Sequence, residues 1–147
     1  MPEAKVPAPI DPRGPRFNQA AITVLLLVGF VFDAQAVVPA VAVILLSGAA
    51  LGARWGPFLR LYSDVVRPRL APPAQLEDPR PPRFAAAVGV IFLAAATVAF
   101  LAGNAVVGWA LALVVAALAG LAATTGLCLG CEIWLFLARR RGTRLAA

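Results

Sequence analysis

Asp11-Pro12-Arg13-Gly14-Pro15-Arg16-Phe17 returns as Asp78-Pro79-Arg80-Pro81-Pro82-Arg83-Phe84, changed at one position, and each copy runs directly into an apolar stretch. A motif that recurs ahead of two similar apolar runs reads as two tandem copies of one unit. Copy one spans 11–67 and copy two 78–138, within a single membrane domain covering 1–147. The copies are not equivalent. Only the second carries cysteines, in Cys128-Leu129-Gly130-Cys131.

The composition names the solvent. Hydrophobic residues make up 61% of the chain and charged residues 14%, against about 45–50% and about 25% in soluble domains. The runs that follow each motif are apolar on all sides, and helices of that kind lie in a protein interior or in lipid. Four runs qualify for the length that a hydrocarbon core about 30 Å thick requires of a helix rising about 1.5 Å per residue. They cover 18–36, 38–53, 84–102 and 105–124. In lipid every backbone polar group must find its partner inside the segment, so these runs are helices. The predicted fold is all-α, with four transmembrane helices as two parallel-repeat hairpins. Small residues such as Gly48, Ala49 and Gly120 suit their close packing.

The charges orient this bundle. All 13 Lys and Arg residues fall outside 17–53 and 84–138. With four spans they share one side, together with both termini and the middle loop, while the opposite side presents only the charge of Asp33. The positive-inside rule makes the basic side cytoplasmic, in a bacterial inner membrane. Net charge is +6 with no histidine, but neither a folded basic surface nor an aromatic platform accompanies it, so nucleic acid is not an expected partner. Residues 1–36 also mimic a signal peptide ending in Ala34-Gln35-Ala36. The corresponding segment of copy two is internal and must be retained, so the first run reads as an uncleaved span.

Each copy is expected to close with a short cytoplasmic interfacial helix. In 57–67 the residues Phe58, Leu61, Tyr62 and Val65 recur at helical spacing with Arg60, Ser63 and Asp64 off the stripe, an amphipathic pattern. In copy two the apolar stretch continues past 124 and is too long for one span. A break near Thr124-Thr125-Gly126 separates it from a C-x-x-C helix over 127–138. The proline-rich segment 68–83 reads as a stiff cytoplasmic strap.

Cys128 and Cys131 are the candidate catalytic pair. A C-x-x-C at a helix start brings two sulfurs together where unpaired N–H groups favour a thiolate. A structural disulfide does not fit a reducing cytoplasm. Three readings stay open: thiol or sulfur chemistry, metal binding, and simple packing of two small apolar residues. No cofactor is predicted. A metal would need Glu132, a dimer or a partner, because two cysteines do not fill a tetrahedral site. Glu132 could also take a proton during exchange, or serve as a first-turn acid favoured by the helix dipole. Arg13, Arg16, Arg80 and Arg83 sit at the mouths of the first and third spans. They either snorkel to the lipid interface or form a ring that binds an anion. Nucleotide-binding and triad motifs are not present.

The two D-P-R-x-P-R-F motifs, Arg54-Trp55-Gly56-Pro57-Phe58, and Thr125-Gly126-Leu127-Cys128-Leu129-Gly130-Cys131-Glu132 together resemble the bacterial membrane family called domain of unknown function 4395, from about residue 10 to 140. The resemblance implies no settled activity. It implies a genomic context of thioredoxin-like and rhodanese-like genes, hence a cytoplasmic partner of either kind. The function expected is exchange of a disulfide or sulfane sulfur at the pair, as a thiol–disulfide oxidoreductase. The alternatives are a transporter of small anionic sulfur species and a non-catalytic anchor or subunit of a larger complex. A homo-oligomer is compatible with either.

Overall fold

The computed structural model describes residues 8–52 and 55–142. Lys5, Arg54 and Arg144, three of the 13 basic residues, lie outside them, as do the outermost residues of the 1–147 domain. Six α-helices follow one another, and no strand occurs among the described residues: α1 (Arg13–Val31), α2 (Val37–Leu51), α3 (Pro57–Leu61), α4 (Arg80–Leu101), α5 (Ala105–Thr125) and α6 (Leu129–Arg140). The all-α expectation holds.

Both motif helices begin four or five residues earlier than the apolar runs suggest. The carboxylate of Asp11 accepts the N–H of Arg13 at 2.9 Å, and that of Asp78 accepts the N–H of Arg80 at 2.9 Å. The first four N–H groups of a helix have no partner within it, so Pro15, Pro81 and Pro82 cost no helical hydrogen bond. The motif therefore starts each helix and belongs to its first turn. At its other end α1 stops at Val31, short of the expected 36, because Asp33 takes a left-handed conformation (φ 48°) that turns the chain.

α2 runs back and ends at Leu51 before Gly52. α3 passes into a π-helical turn, Tyr62–Val66, and then a 3-10 turn, Arg67–Arg69. The stripe predicted there splits. Tyr62 is buried, with Leu59 beside it against Gly14, whereas Leu61 and Val65 are exposed. Asn104 caps α5 by accepting the N–H of Val107 at 3.2 Å.

α1 packs chiefly against α5, and α2 against α4, while α4 also meets α5 and α6. The shared core holds Ile22 and Leu26 from α1, Val38 and Val41 from α2, Leu93 and Ala96 from α4, and Ala112 and Ala116 from α5. At the end away from the strap, Trp109 is met edge-on by Phe30 and Phe100 and donates to Asp33 at 2.8 Å. Asp33 thus ties α5 to the α1–α2 turn.

Large apolar side chains also cover the outside. Val31 is 74% exposed, Leu101 83% and Val106 81%, a surface that water would penalise and lipid would not. α1, α4 and α5 are long and apolar enough to cross a membrane. α2 has 15 residues, or roughly 22 Å, shorter than a full hydrocarbon core.

The strap is held to the bundle at two points. Arg13 donates to the carbonyl of Ala71 at 3.1 Å. Ile10 and Glu77 pair in both directions, N–H to carbonyl, at 2.8 and 2.9 Å.

Candidate functional site

The site begins with the end of α5. Gly126 adopts φ 77°, a left-handed conformation that stops the helix, and its N–H bonds to the carbonyl of Ala122 at 3.0 Å. Glycine does this without strain. The guanidinium of Arg16 lies over the face where a side chain at Gly126 would project. Leu127 then donates to the Thr125 hydroxyl at 3.2 Å, and the chain re-enters a helix with Cys128, in extended conformation, as the N-cap of α6.

That position decides the chemistry of the sulfur. Sγ of Cys128 accepts the N–H of Cys131 at 3.4 Å, as serine or aspartate would at a cap. From across the bundle, Nε2 of Gln19 reaches the same sulfur at 3.7 Å. Both thiols are free.

The two sulfurs are driven apart in acidity. The Cys131 thiol donates to Cys128, and this bond, with the N–H groups of Cys131 and Gly130 and the Gln19 amide, outweighs burial and holds Cys128 down at about 6. Cys131 is pushed up, first because it gives its hydrogen to Cys128, then by burial and by the charges of the Cys128 thiolate, Glu77 and Glu132. The surroundings thus favour the thiolate on Cys128 and the protonated thiol on Cys131. This is the division of labour that a nucleophile and a resolving thiol need.

The surroundings fix α6 in place. Gly130 sits so close to Ala85 that a Cβ on it would lie 2.7 Å from the Ala85 Cβ. The largely buried Asp78 carboxylate binds Arg80 at 2.7 Å, and Arg80 lies over the Trp134 ring at 5.5 Å. In copy one the equivalent carboxylate, Asp11, accepts instead from the Tyr62 hydroxyl at 3.0 Å. The two motif aspartates thus reach later helical segments differently, Asp11 directly at Tyr62 and Asp78 through Arg80, which lies over Trp134 of α6.

The four candidate arginines occupy separate stations. Arg13 reaches Ala71 in the strap, Arg16 covers Gly126, Arg80 joins Asp78 and Trp134, and Arg83 donates to the carbonyls of Ala49 and Ala50 at 3.0 and 3.1 Å. Arg16 and Arg83, equivalent in the two motifs, lie at the ends of α5 and α2, where the carbonyl dipoles attract a cation. Glu132 is exposed in the first turn of α6 and acts on the pair through its charge. Among the described residues no three His, Cys, Asp or Glu side chains stand close enough to hold a metal ion.

Two participants escaped the sequence reading. Gln19 carries only a weak sequence signal, as one of the few polar residues in the first apolar run. Glu77 stands directly before the second motif, where copy one has Ile10. Beside Cys128 and Gln19 lies a cavity of about 160 Å³ with mostly apolar walls.

The chain belongs to the family described as Domain of unknown function (DUF4395), whose model matches residues 10–139. No curated protein and no solved structure matches it.

Proposed function

Since the family's description assigns no activity, we propose from the site itself that this protein is a membrane thiol–disulfide exchanger acting through Cys128 and Cys131. The observation that carries the proposal is the Cys128 sulfur at the start of α6, where donors from Cys131 and Gln19 stabilise its thiolate. Cys128 attacks a disulfide of a thioredoxin-like partner. An S–S bond forms between the two proteins and the partner's second sulfur leaves as a thiolate. Cys131 then loses its proton to solvent and attacks Cys128, closing the pair and releasing the partner as a dithiol. Two electrons pass from the pair to the partner, and the reverse sequence returns them. With a rhodanese-like partner, Cys128 would instead carry a sulfane sulfur as a persulfide.

The proposal includes the topology. Four spans, α1, α2, α4 and α5, cross the bacterial inner membrane, with the strap, α3, α6 and both termini on the cytoplasmic side, where the arginines gather. Two parallel repeats are supported by Ile10 and Glu77, which hold equivalent positions before the two motifs and pair reciprocally. They are supported also by the packing of α1 on α5 and of α2 on α4, which exchange when the copies are swapped. The exposed stripe Leu129, Ile133 and Phe136 on α6 suits the lipid interface.

The test is trapping. The Cys131→Ser protein, expressed in cells, should accumulate a mixed disulfide through Cys128 that reductant releases. If it captures no partner, and both cysteines of the unmodified protein stay reduced under every redox challenge, the proposal fails.

A further inference from the structure

The cavity beside Cys128 supports a second step, which rests on the exchange role proposed above. It lies in the half of the bundle nearest the strap, between Gln19 and Ile22 of α1, Leu45 of α2, Ala86 and Phe92 of α4, and Cys128. An enclosed apolar cavity of about 150 Å³ is enough to hold a benzene ring. This one measures about 160 Å³ and is partly open, so that ring substituents and a tail can extend from it. Its polar groups are few, and Arg83 already faces the carbonyls of Ala49 and Ala50. Such walls, among helices that suit a bilayer, select a ring that partitions into lipid.

Electron flow gives that ring a purpose. Stabilising the thiolate stabilises the reduced pair, and a pair whose reduced form is stabilised is an oxidising one. In the reverse direction of the exchange it takes two electrons from a partner dithiol, and it must then pass them on. Cys128, the sulfur that lines the cavity, is the group placed to do so.

We propose that the cavity binds the ring of a membrane-dissolved quinone, which reoxidises the Cys128/Cys131 pair. The Cys128 thiolate adds to a ring carbon and forms a C–S bond. Cys131 gives up its proton and attacks the Cys128 sulfur, so that the S–S bond forms as the C–S bond breaks and the electron pair returns to the ring. The pair loses two electrons, and the Cys131 proton together with one proton taken from solvent supplies the two gained by the quinone oxygens. The products are a disulfide and a hydroquinone.

The test uses the reduced full-length protein in nanodiscs of phosphatidylethanolamine and phosphatidylglycerol, mixed without oxygen with decylubiquinone. One hydroquinone should form per protein as both thiols disappear, and Ala86→Phe, which fills the cavity, should slow the reaction by about tenfold or more. Thiols that survive excess quinone yet still exchange with glutathione disulfide would overturn this inference alone. Thiols that react with neither would overturn the exchange reading beneath it. Reaction of Ala86→Phe at the original rate would exclude the cavity.

A photoreactive azido-quinone keeps the question open to decision if that variant does not fold. Labels on Gln19, Ile22 or Phe92 are the expected result. Labels confined to lipid-facing residues such as Leu101, or a photoreactive phospholipid that labels the cavity and resists displacement by quinone, would overturn it.

Discussion

Nε2 of Gln19 lies 3.7 Å from Sγ of Cys128, joining the second turn of α1 to the start of α6 across 109 positions of sequence. The bond is long and its acceptor is the ionised sulfur, so its loss should raise the Cys128 pKa by roughly half a unit to one unit. Gln19→Leu should therefore lower the rate of iodoacetamide alkylation at pH 6 severalfold. Melting temperature should change little, which separates an effect on the sulfur from general damage.

The reduced pair should make stability depend on pH with a definite sign. Cys128 is lowered to about 6 from an ordinary 9.0, so between those values the unfolded chain binds more protons than the folded one. Stability then rises with pH across that window and is lost as pH falls through about 6. Cys131 is displaced upward and opposes the gain once an unfolded thiol would ionise. Thermal unfolding in detergent should show the rise for the reduced protein and not for Cys128→Ser.

Gly130 tests the docking of α6. A Cβ there would stand 2.7 Å from the Ala85 Cβ, and both atoms belong to packed helices. Gly130→Val should cost about 1–3 kcal/mol through overpacking, read as a lower melting temperature. It should also raise the pH at which Cys128 is half-alkylated, because α6 carries the sulfur away from Gln19.

Trp109 tests the opposite end. Trp109→Phe keeps an aromatic ring between Phe30 and Phe100 but loses the bond to Asp33 at 2.8 Å. About 1–2 kcal/mol of stability should disappear, with no change in Cys128 alkylation. A change in thiol reactivity would mean that the two ends of the bundle are coupled.

The six helices were legible because lipid-compatible composition leaves the backbone one solution, and the α5–α6 break was legible because Gly126 interrupts an apolar stretch too long for one span. Helix starts were harder to read. Pro12 and Pro15 look like breakers, yet they fall where a helix has no hydrogen bonds to lose, and Asp11 supplies the missing acceptor. The partners of Cys128 were hidden for another reason. Gln19 is distant in sequence and meets the sulfur only once α1 has packed on α5, α5 on α4 and α4 on α6. Likewise the splitting of the Tyr62 stripe depends on Gly14 and Phe17, which no local pattern in α3 contains.

The central claim, that Cys128 is the reactive sulfur and Cys131 its proton-bearing partner, is tested most directly by residue-resolved alkylation of the reduced full-length protein. Peptide mass spectrometry after brief iodoacetamide exposure at pH 7 should find Cys128 modified at least about tenfold faster than Cys131. The Cys128 rate should be half-maximal near pH 6, matching its lowered pKa. Equal rates at the two cysteines, or a Cys128 rate that climbs only above pH 8, would contradict the account.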